Sequence, residues 1–407
     1  MGQFPWTTAL LFEALRITIL YPTRHHAFRV VAFAAMIYVA VQVYLTMEAS
    51  RGASYTIGIS TALHLGFTTY LLCGEGSFPD HWRRVRDQAH AKSDAGGSEN
   101  LPSNFSFMKK LWWTIDLAYS VRMIGWVQEP QDLPTHPPPS RRTFLWNTSL
   151  KFIVNLFLVP DLTTLVIGQS PAFDSRLHDP TDGPETYLAA VPLLRRVPYV
   201  VAFFIFMGSL TCGCHNLLAL VCVGLGGSSP TLWPDNWGSW GDAYTIRRFW
   251  RKTWHQRMRP TLAGWGGFVA NKIFKFPRGS NRSSYTKLYV GFFLFGIIHL
   301  SGDFMCARRM IYDPCKFFLL QPIAITFEDF VIYLAKRSPL LGGIGLGNRT
   351  GAVVRVAGYC WVMLWLCLAL PVLTGEQSTI GFNDFDRGPI ARFLFDKWKQ
   401  YAVDRQR

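Results

Sequence analysis

The sequence predicts an all-α polytopic membrane protein with about seven or eight transmembrane helices and two basic loops on the cytosolic side. Three observations predict it. Of 407 residues, 49% are apolar and only 16% are charged, against roughly 25% charged in soluble proteins. The aromatic content is high, with Trp 15, Phe 31 and Tyr 15. The apolar residues gather in runs of about 20, the length a helix needs to cross a bilayer, and the charge lies between the runs. A soluble enzyme, a disordered chain and a small disulfide scaffold are thereby disfavoured.

Taken in order, Phe28–Met47 is an uninterrupted apolar run. Ala53–Cys73 follows and contains His64. Phe144–Gly168 is interrupted by Lys151, Asn155, Pro160 and Asp161, and Pro198–Leu225 is long and rich in Gly and Cys. Tyr285–Met305 contains His299; Phe317–Leu334 carries Gln321, Glu328 and Asp329; Val353–Leu373 is the last run. Phe4–Leu20, with Glu13 and Arg16, is either a span or an interfacial helix. The start of the chain lacks a basic region and a small-residue cleavage site, so the first spans are expected to serve as uncleaved membrane signals.

Net charge is 41 − 26 = +15. In a membrane protein Lys and Arg collect in cytosolic loops, so the excess points to topology rather than to nucleic acid. The loop Asp80–Arg142 carries Arg83, Arg84, Arg86, Lys109, Lys110, Arg141 and Arg142. Within it, Met108–Trp126 has apolar residues at helical spacing and suits a helix on the membrane surface. The loop Gly226–Arg282 begins rich in Trp, Pro and Gly and ends basic. The organisation is therefore N-terminal membrane helices (1–79), a basic loop with an interfacial helix (80–143), membrane helices (144–225), a chemistry-bearing segment (226–335), and a C-terminal helix with a basic tail (336–407). Eight cysteines include no CxxC pair, so they read as small apolar fillers, and no metal is expected. Asn-x-Ser/Thr matches fall at Asn104, Asn147, Asn281 and Asn348; a cytosolic Asn281 would not be glycosylated.

The informative stretch is Arg247–Pro260, RRFWRKTWHQRMRP. Wound as one α-helix, Arg248, Arg251, Lys252, His255 and Arg259 share a stripe about 100° wide. Crowded cations call for an anionic neighbour, either lipid headgroups around a Trp-anchored interfacial helix or a phosphorylated ligand. His255, surrounded by cations, would favour its neutral form. It is either a proton-transfer group or a solvated loop residue. His299 lies deep in an apolar run, where an ionisable group is costly and by default functional. Asp303, one turn on, could orient it; the alternative is a helix–helix hydrogen bond. His64 reads as structural. The two histidines, 299 − 255 = 44 residues apart, suggest a reaction chamber within the bilayer.

The run Arg248-Phe249-Trp250-Arg251-Lys252-Thr253-Trp254-His255-Gln256, followed by an apolar segment ending in His299, resembles the membrane-bound O-acyltransferase superfamily. More narrowly it resembles the fungal wax synthase-like branch, which includes terpenoid and meroterpenoid O-acetyltransferases. The lead-in Trp233–Gly238, the run Gln321–Asp329 and Arg122–Trp126 (RMIGW) are similar to that branch as well. Two positions depart from the plant wax synthases. Those have Asn where His255 stands, and an acid directly after the catalytic histidine, where this chain has Leu300.

The resemblance implies acyl transfer from an acyl-CoA co-substrate to a hydroxyl, with no tightly bound cofactor. His299 would be the general base. His255 would polarise the carbonyl or steady the oxyanion, with Trp254 lining the site and Asp303 in support. Arg247, Arg248, Arg251 and Lys252 would hold the CoA phosphates. The favoured reaction is acetyl transfer from acetyl-CoA to an apolar terpenoid or meroterpenoid alcohol of secondary metabolism, in the endoplasmic reticulum membrane. The alternatives are a long-chain wax ester or sterol ester synthase, and a transporter whose pathway would use His64, Asp161, His299 and Glu328.

Overall fold

A computed structural model describes residues 6–22, 26–73, 78–85, 101–129, 140–167, 187–254, 257–337 and 348–379, with 390, 392–393 and 396–397. Among these the only strand-like pairing is an isolated bridge between Arg84 and Trp126; the rest of the regular structure is helical. The helices are α1 (Trp6–Leu20), α2 (His26–Thr46), α3 (Arg51–Cys73), α4 (Phe107–Tyr119), α5 (Arg141–Ile167, with a π-helical turn at Val154–Leu158), α6 (Leu193–Gly224), α7 (Ile246–Arg248, continuing as a π-helical turn Phe249–Thr253), α8 (Arg259–Gly267, continuing as Phe268–Ile273), α9 (Asn281–Ala307), α10 (Asp313–Arg337) and α11 (Asn348–Thr379). Seven described helices, α2, α3, α5, α6, α9, α10 and α11, are long and apolar enough to cross a membrane. They coincide with the seven strongest runs of the sequence. With 15 residues, α1 rises only about 22 Å at 1.5 Å per residue, short of a hydrocarbon core about 30 Å thick.

The chain forms two compact units, Met1–Gln131 with Arg257–Leu319, and Asp132–Gln256 with Leu320–Arg407. The segment 226–335 contributes to both.

In the first unit, α3 and α9 pack at backbone distance because small residues face each other. A Cβ on Gly58 would stand 2.5 Å from the Ser301 carbonyl, and one on Gly302 would stand 2.7 Å from the Tyr55 ring. Ser301 donates to the Gly58 carbonyl at 3.0 Å. Small side chains of this kind let membrane helices approach closely.

One cluster of polar groups in this unit is closely matched. The Glu13 carboxylate accepts from Arg16 Nε (3.0 Å), His64 Nδ1 (3.0 Å) and the Tyr119 hydroxyl (2.9 Å). Arg16 is fully buried and also donates to the Ala118 carbonyl at 2.8 Å. Burial alone would raise the Glu13 carboxyl, but the His64 hydrogen bond and the Arg16 guanidinium outweigh it and hold the group at about 2. His64 is thus structural, tying α3 to α1.

The first basic loop is better packed than its composition suggests. The interfacial helix ends at Tyr119 rather than running to Trp126. Beyond it the chain turns through Met123 (φ 55°) and Gly125 (φ 75°), and Val85 and Val127 pair with the Gly125 and Arg83 carbonyls at 3.0 Å. The turn exists because Trp126 is buried with Trp82 and Trp113 in one core, where Arg84 lies over its ring and pairs with Asp116. On the other side of α4, Phe107, Met108 and Trp112 remain exposed, as a surface-lying helix requires.

The buried Arg16 gives a test. Glu13→Gln keeps the shape and removes the charge. Leaving a buried cation without its partner costs about 3 kcal/mol, so the variant should lose its fold at a temperature several degrees lower in detergent. An unchanged thermal midpoint would mean the ion pair does not lock α1.

Candidate active site

His299 sits on α9 among aromatic rings, half-buried. Its Nδ1 lies 2.7 Å from the Tyr55 hydroxyl of α3. The Phe295 ring meets it edge-on at 4.8 Å, and the Phe318 ring lies across it at 4.9 Å, tilted by 31°. The glycine contact between α3 and α9 is what brings Tyr55 within reach. Asp303, one turn further along α9, is fully buried. Tyr55 was not singled out from the sequence, since a tyrosine in an apolar span is ordinary. Its helix partner becomes visible only once Gly58 and Gly302 are seen to face each other.

The second unit holds the aromatic and basic motif. The stretch from Arg247 is not one α-helix. It begins as α7, capped by Thr245, whose hydroxyl accepts from Arg248 N at 3.0 Å. It then widens into a π-turn closed by Trp254 N to the Phe249 carbonyl at 2.8 Å, and ends at Trp254, whose backbone is extended. A single cationic stripe from Arg248 to Arg259 therefore does not form. A new helix starts at Arg259, with Pro260 in its first turn. The turn breaks here because Thr253 is held elsewhere: its carbonyl accepts from Gly238 N at 3.1 Å and its hydroxyl donates to the Ser239 carbonyl at 3.0 Å. The Trp254 ring is half-buried against Trp237 (4.7 Å), Phe204 (5.2 Å) and Trp250 (5.5 Å).

Residues of α10 hold this turn from outside. Glu328 accepts from the backbone N–H of Ile246 (2.7 Å) and Arg247 (3.3 Å) at the start of α7 and from the Trp361 indole (3.1 Å). A carboxylate is stabilised there by the unpaired N–H groups of a helix start. Gln321, two turns earlier and fully buried, accepts from the Trp250 and Trp365 indoles at 3.1 and 3.0 Å. Arg247 pairs with Asp329, and Arg248 pairs with Asp242 and lies over the Tyr244 ring. Of the four expected phosphate ligands, these two already hold carboxylates, while Arg251 and Lys252 are exposed. His255 lies outside the described residues.

The profile of the Membrane bound O-acyl transferase family matches residues 233–320. The acetyltransferase ple2 of Rhodocybe pseudopiperita is 28% identical over 342 residues, 83% of this chain and 82% of that protein. The O-Mevalon transferase macI of Penicillium terrestre is 27% identical over 315 residues, 71% and 67% of the two chains. The acetyltransferase ataH of Aspergillus terreus is 30% identical over 289 residues, 67% of this chain and 89% of that protein. The chain belongs to the membrane-bound O-acyltransferase family. It is an acyl-transferring membrane enzyme, and the transporter reading is set aside. Two of the polar span residues behind that reading also have structural duties, Glu328 at the start of α7 and His64 on Glu13. The matched segment holds the aromatic turn and His299; Gln321, Glu328, Asp329 and Tyr55, which support them, lie outside it.

The loop that clamps the π-turn can be tested directly. A Cβ on Gly238 would fall 1.8 Å from the Lys252 carbonyl oxygen, which is backbone and cannot swing aside. Gly238→Ala should cost about 1–3 kcal/mol and reduce acyl transfer. Gly224→Ala, with nothing within 4 Å of the added carbon, should be neutral. Equal thermal midpoints for both variants would refute the clamp.

Proposed function

We propose that the protein transfers an acetyl group from acetyl-CoA to a hydroxyl of a terpenoid or meroterpenoid, with His299 as general base. The observation that carries this is a histidine in a membrane-spanning helix whose Nδ1 is held by a hydroxyl at 2.7 Å. For Nε2 to accept a proton, Nδ1 must carry its hydrogen and donate it to the Tyr55 oxygen. The bond holds the direction of the ring, and the Tyr55 hydroxyl, which can donate or accept, accepts in this tautomer. Nε2 takes the proton of the acceptor hydroxyl as its oxygen attacks the thioester carbonyl. The C–S bond breaks, and the imidazolium returns the proton to the leaving sulfur. Atoms and charge balance without a covalent enzyme intermediate. His255 takes the role of steadying the oxyanion, with Trp254 beside it in the chain as part of the site wall and Asp303 as support for the α9 side.

The acetyl donor is supported by relatives whose names say acetyltransferase, and the terpenoid class by the resemblance of the motifs to the fungal wax synthase-like branch. One relative is named for the transfer of a different group, O-Mevalon transferase. Arg251 and Lys252 are assigned to the CoA phosphates, while Arg247 and Arg248 frame the turn that presents them. Guanidinium and ammonium groups form charge-assisted hydrogen bonds to phosphate, and a cytosolic loop gives a water-soluble donor access from the cytosol. The membrane is assigned as the endoplasmic reticulum.

His299→Ala should lower acyl transfer by about 10²–10⁴-fold in protein that still accumulates in membranes. Tyr55→Phe should lower kcat by about 10–100-fold, the worth of one hydrogen bond to a charged group, shift the pH–rate profile and leave the KM for acetyl-CoA in place. Near-normal turnover of the His299 variant would overturn the assignment of the base. A Tyr55→Phe enzyme changed in stability but not in its pH profile would reduce Tyr55 to packing.

Replacing Arg251 and Lys252 together by Gln should raise the KM for acetyl-CoA at least tenfold, at about 1.5–3 kcal/mol for each well-formed contact. The KM for the alcohol should hold. A double variant with the wild-type KM for acetyl-CoA would place the phosphates elsewhere.

A further inference from the structure

A cavity of about 110 Å³ lies between α5, α6 and the loop that follows α6, and the reaction described above does not use it. Its inner wall holds Thr148 of α5 with His215 and Asn216 of α6, all three more than nine-tenths buried. The Asn216 carboxamide and the Thr148 hydroxyl make no hydrogen bond among the described residues, although both residues line the cavity. Their polar atoms are not sealed off but open onto the cavity, and lipid cannot supply a partner. These groups are therefore placed to meet something that enters.

The geometry restricts what that is. One water needs about 10–15 Å³ of such space, so the cavity takes a ring-sized group. One side is aromatic: Trp233 is fixed by its indole N–H to Ser228 Oγ at 2.9 Å, with its ring 5.3 Å from that of His215. At the mouth Lys151 and Asp235 pair at 2.6 Å and cancel, so the pocket suits a neutral ring rather than phosphates. The Asn147 carboxamide adds a second amide to the lining. A flat heterocycle with donors and acceptors on its edge satisfies all of these features. Asn makes a two-point contact to the N6/N7 edge of adenine, and a base stacked on an aromatic side chain gains about 1–3 kcal/mol. The hydrocarbon part of a terpenoid would present C–H to Asn216 and Thr148 and leave both unpaired. The position fits as well. Arg141 at the start of α5 donates to the Val223 and Gly224 carbonyls at the end of α6, so the cavity lies toward the end of α6 from which the basic loop emerges.

We propose that this cavity is the subsite for the adenine ring of the acyl-CoA donor, with Asn216 and Thr148 meeting its edge and Trp233 its face. The proposal rests on the acyl-CoA reading above.

The test uses the full chain in detergent and two donors, acetyl-CoA and acetyl-pantetheine, which lacks the nucleotide. Wild type should prefer acetyl-CoA by KM. Asn216→Ala and Thr148→Val should each lose most of that preference, through a rise of about tenfold in the acetyl-CoA KM. Adenosine 3′,5′-bisphosphate should raise the thermal midpoint of wild type and do so less in the variants; this readout serves even if a variant is poorly active. An equal KM for the two donors in wild type overturns the subsite and, because acetyl-pantetheine also lacks the phosphates, the Arg251 and Lys252 assignment, while leaving the acyl-CoA reading standing. The subsite alone is overturned by a variant that changes only the KM of the alcohol, or by a bisphosphate shift that is the same in all three proteins. A wild type that turns over no acyl-CoA overturns the donor reading, and the subsite with it.

Discussion

Lipid offers no hydrogen bond, so every polar group carried into a span must find its partner within the protein. That constraint organises this molecule. Gln321 and Glu328 lie on the same face of α10, seven residues apart, and each is met by an indole of α11, Trp365 and Trp361, four residues apart. Their remaining acceptor capacity is filled by Trp250 and by the backbone at the start of α7. The polar residues of one helix thus set the register of a second and the position of the aromatic turn. In the other unit Glu13 does the same for α1, α3 and α4 through Arg16, His64 and Tyr119.

The spans were legible because hydropathy over 20 residues is a property of composition, and neighbours in the chain suffice to define it. His299 was legible for a related reason: an ionisable residue stands out against Phe295, Ile297 and Ile298. Its partner was not, because the distance from Tyr55 to His299 depends on how two helices pack. The signal for it is the pair of small residues Gly58 on α3 and Gly302 on α9, which marks the faces where these two backbones meet.

The cationic stripe shows the opposite failure. Its residues were read with α-helical periodicity over 14 positions, but Gly238 and Ser239 hold Thr253 and the helix stops there. The partners of Arg247 and Arg248 are also informative. Asp329 is 82 residues from Arg247, while Asp242 is only six residues from Arg248. What the sequence did contain was the pairing of two motifs, the FW…W run and Gln321–Asp329, without the reason for it. The reason is mechanical: the second motif grips the first.

The π-turns have a consequence for how relatives are compared. Each of Val154–Leu158, Phe249–Thr253 and Phe268–Ile273 carries one more residue than an α-helical turn would. A single-residue deletion there can be absorbed by tightening the turn, and the helices on either side need not move far. Two of the three fall between Trp233 and His299, inside the segment that identifies the family. The count of residues from the aromatic run to the histidine is therefore an elastic ruler.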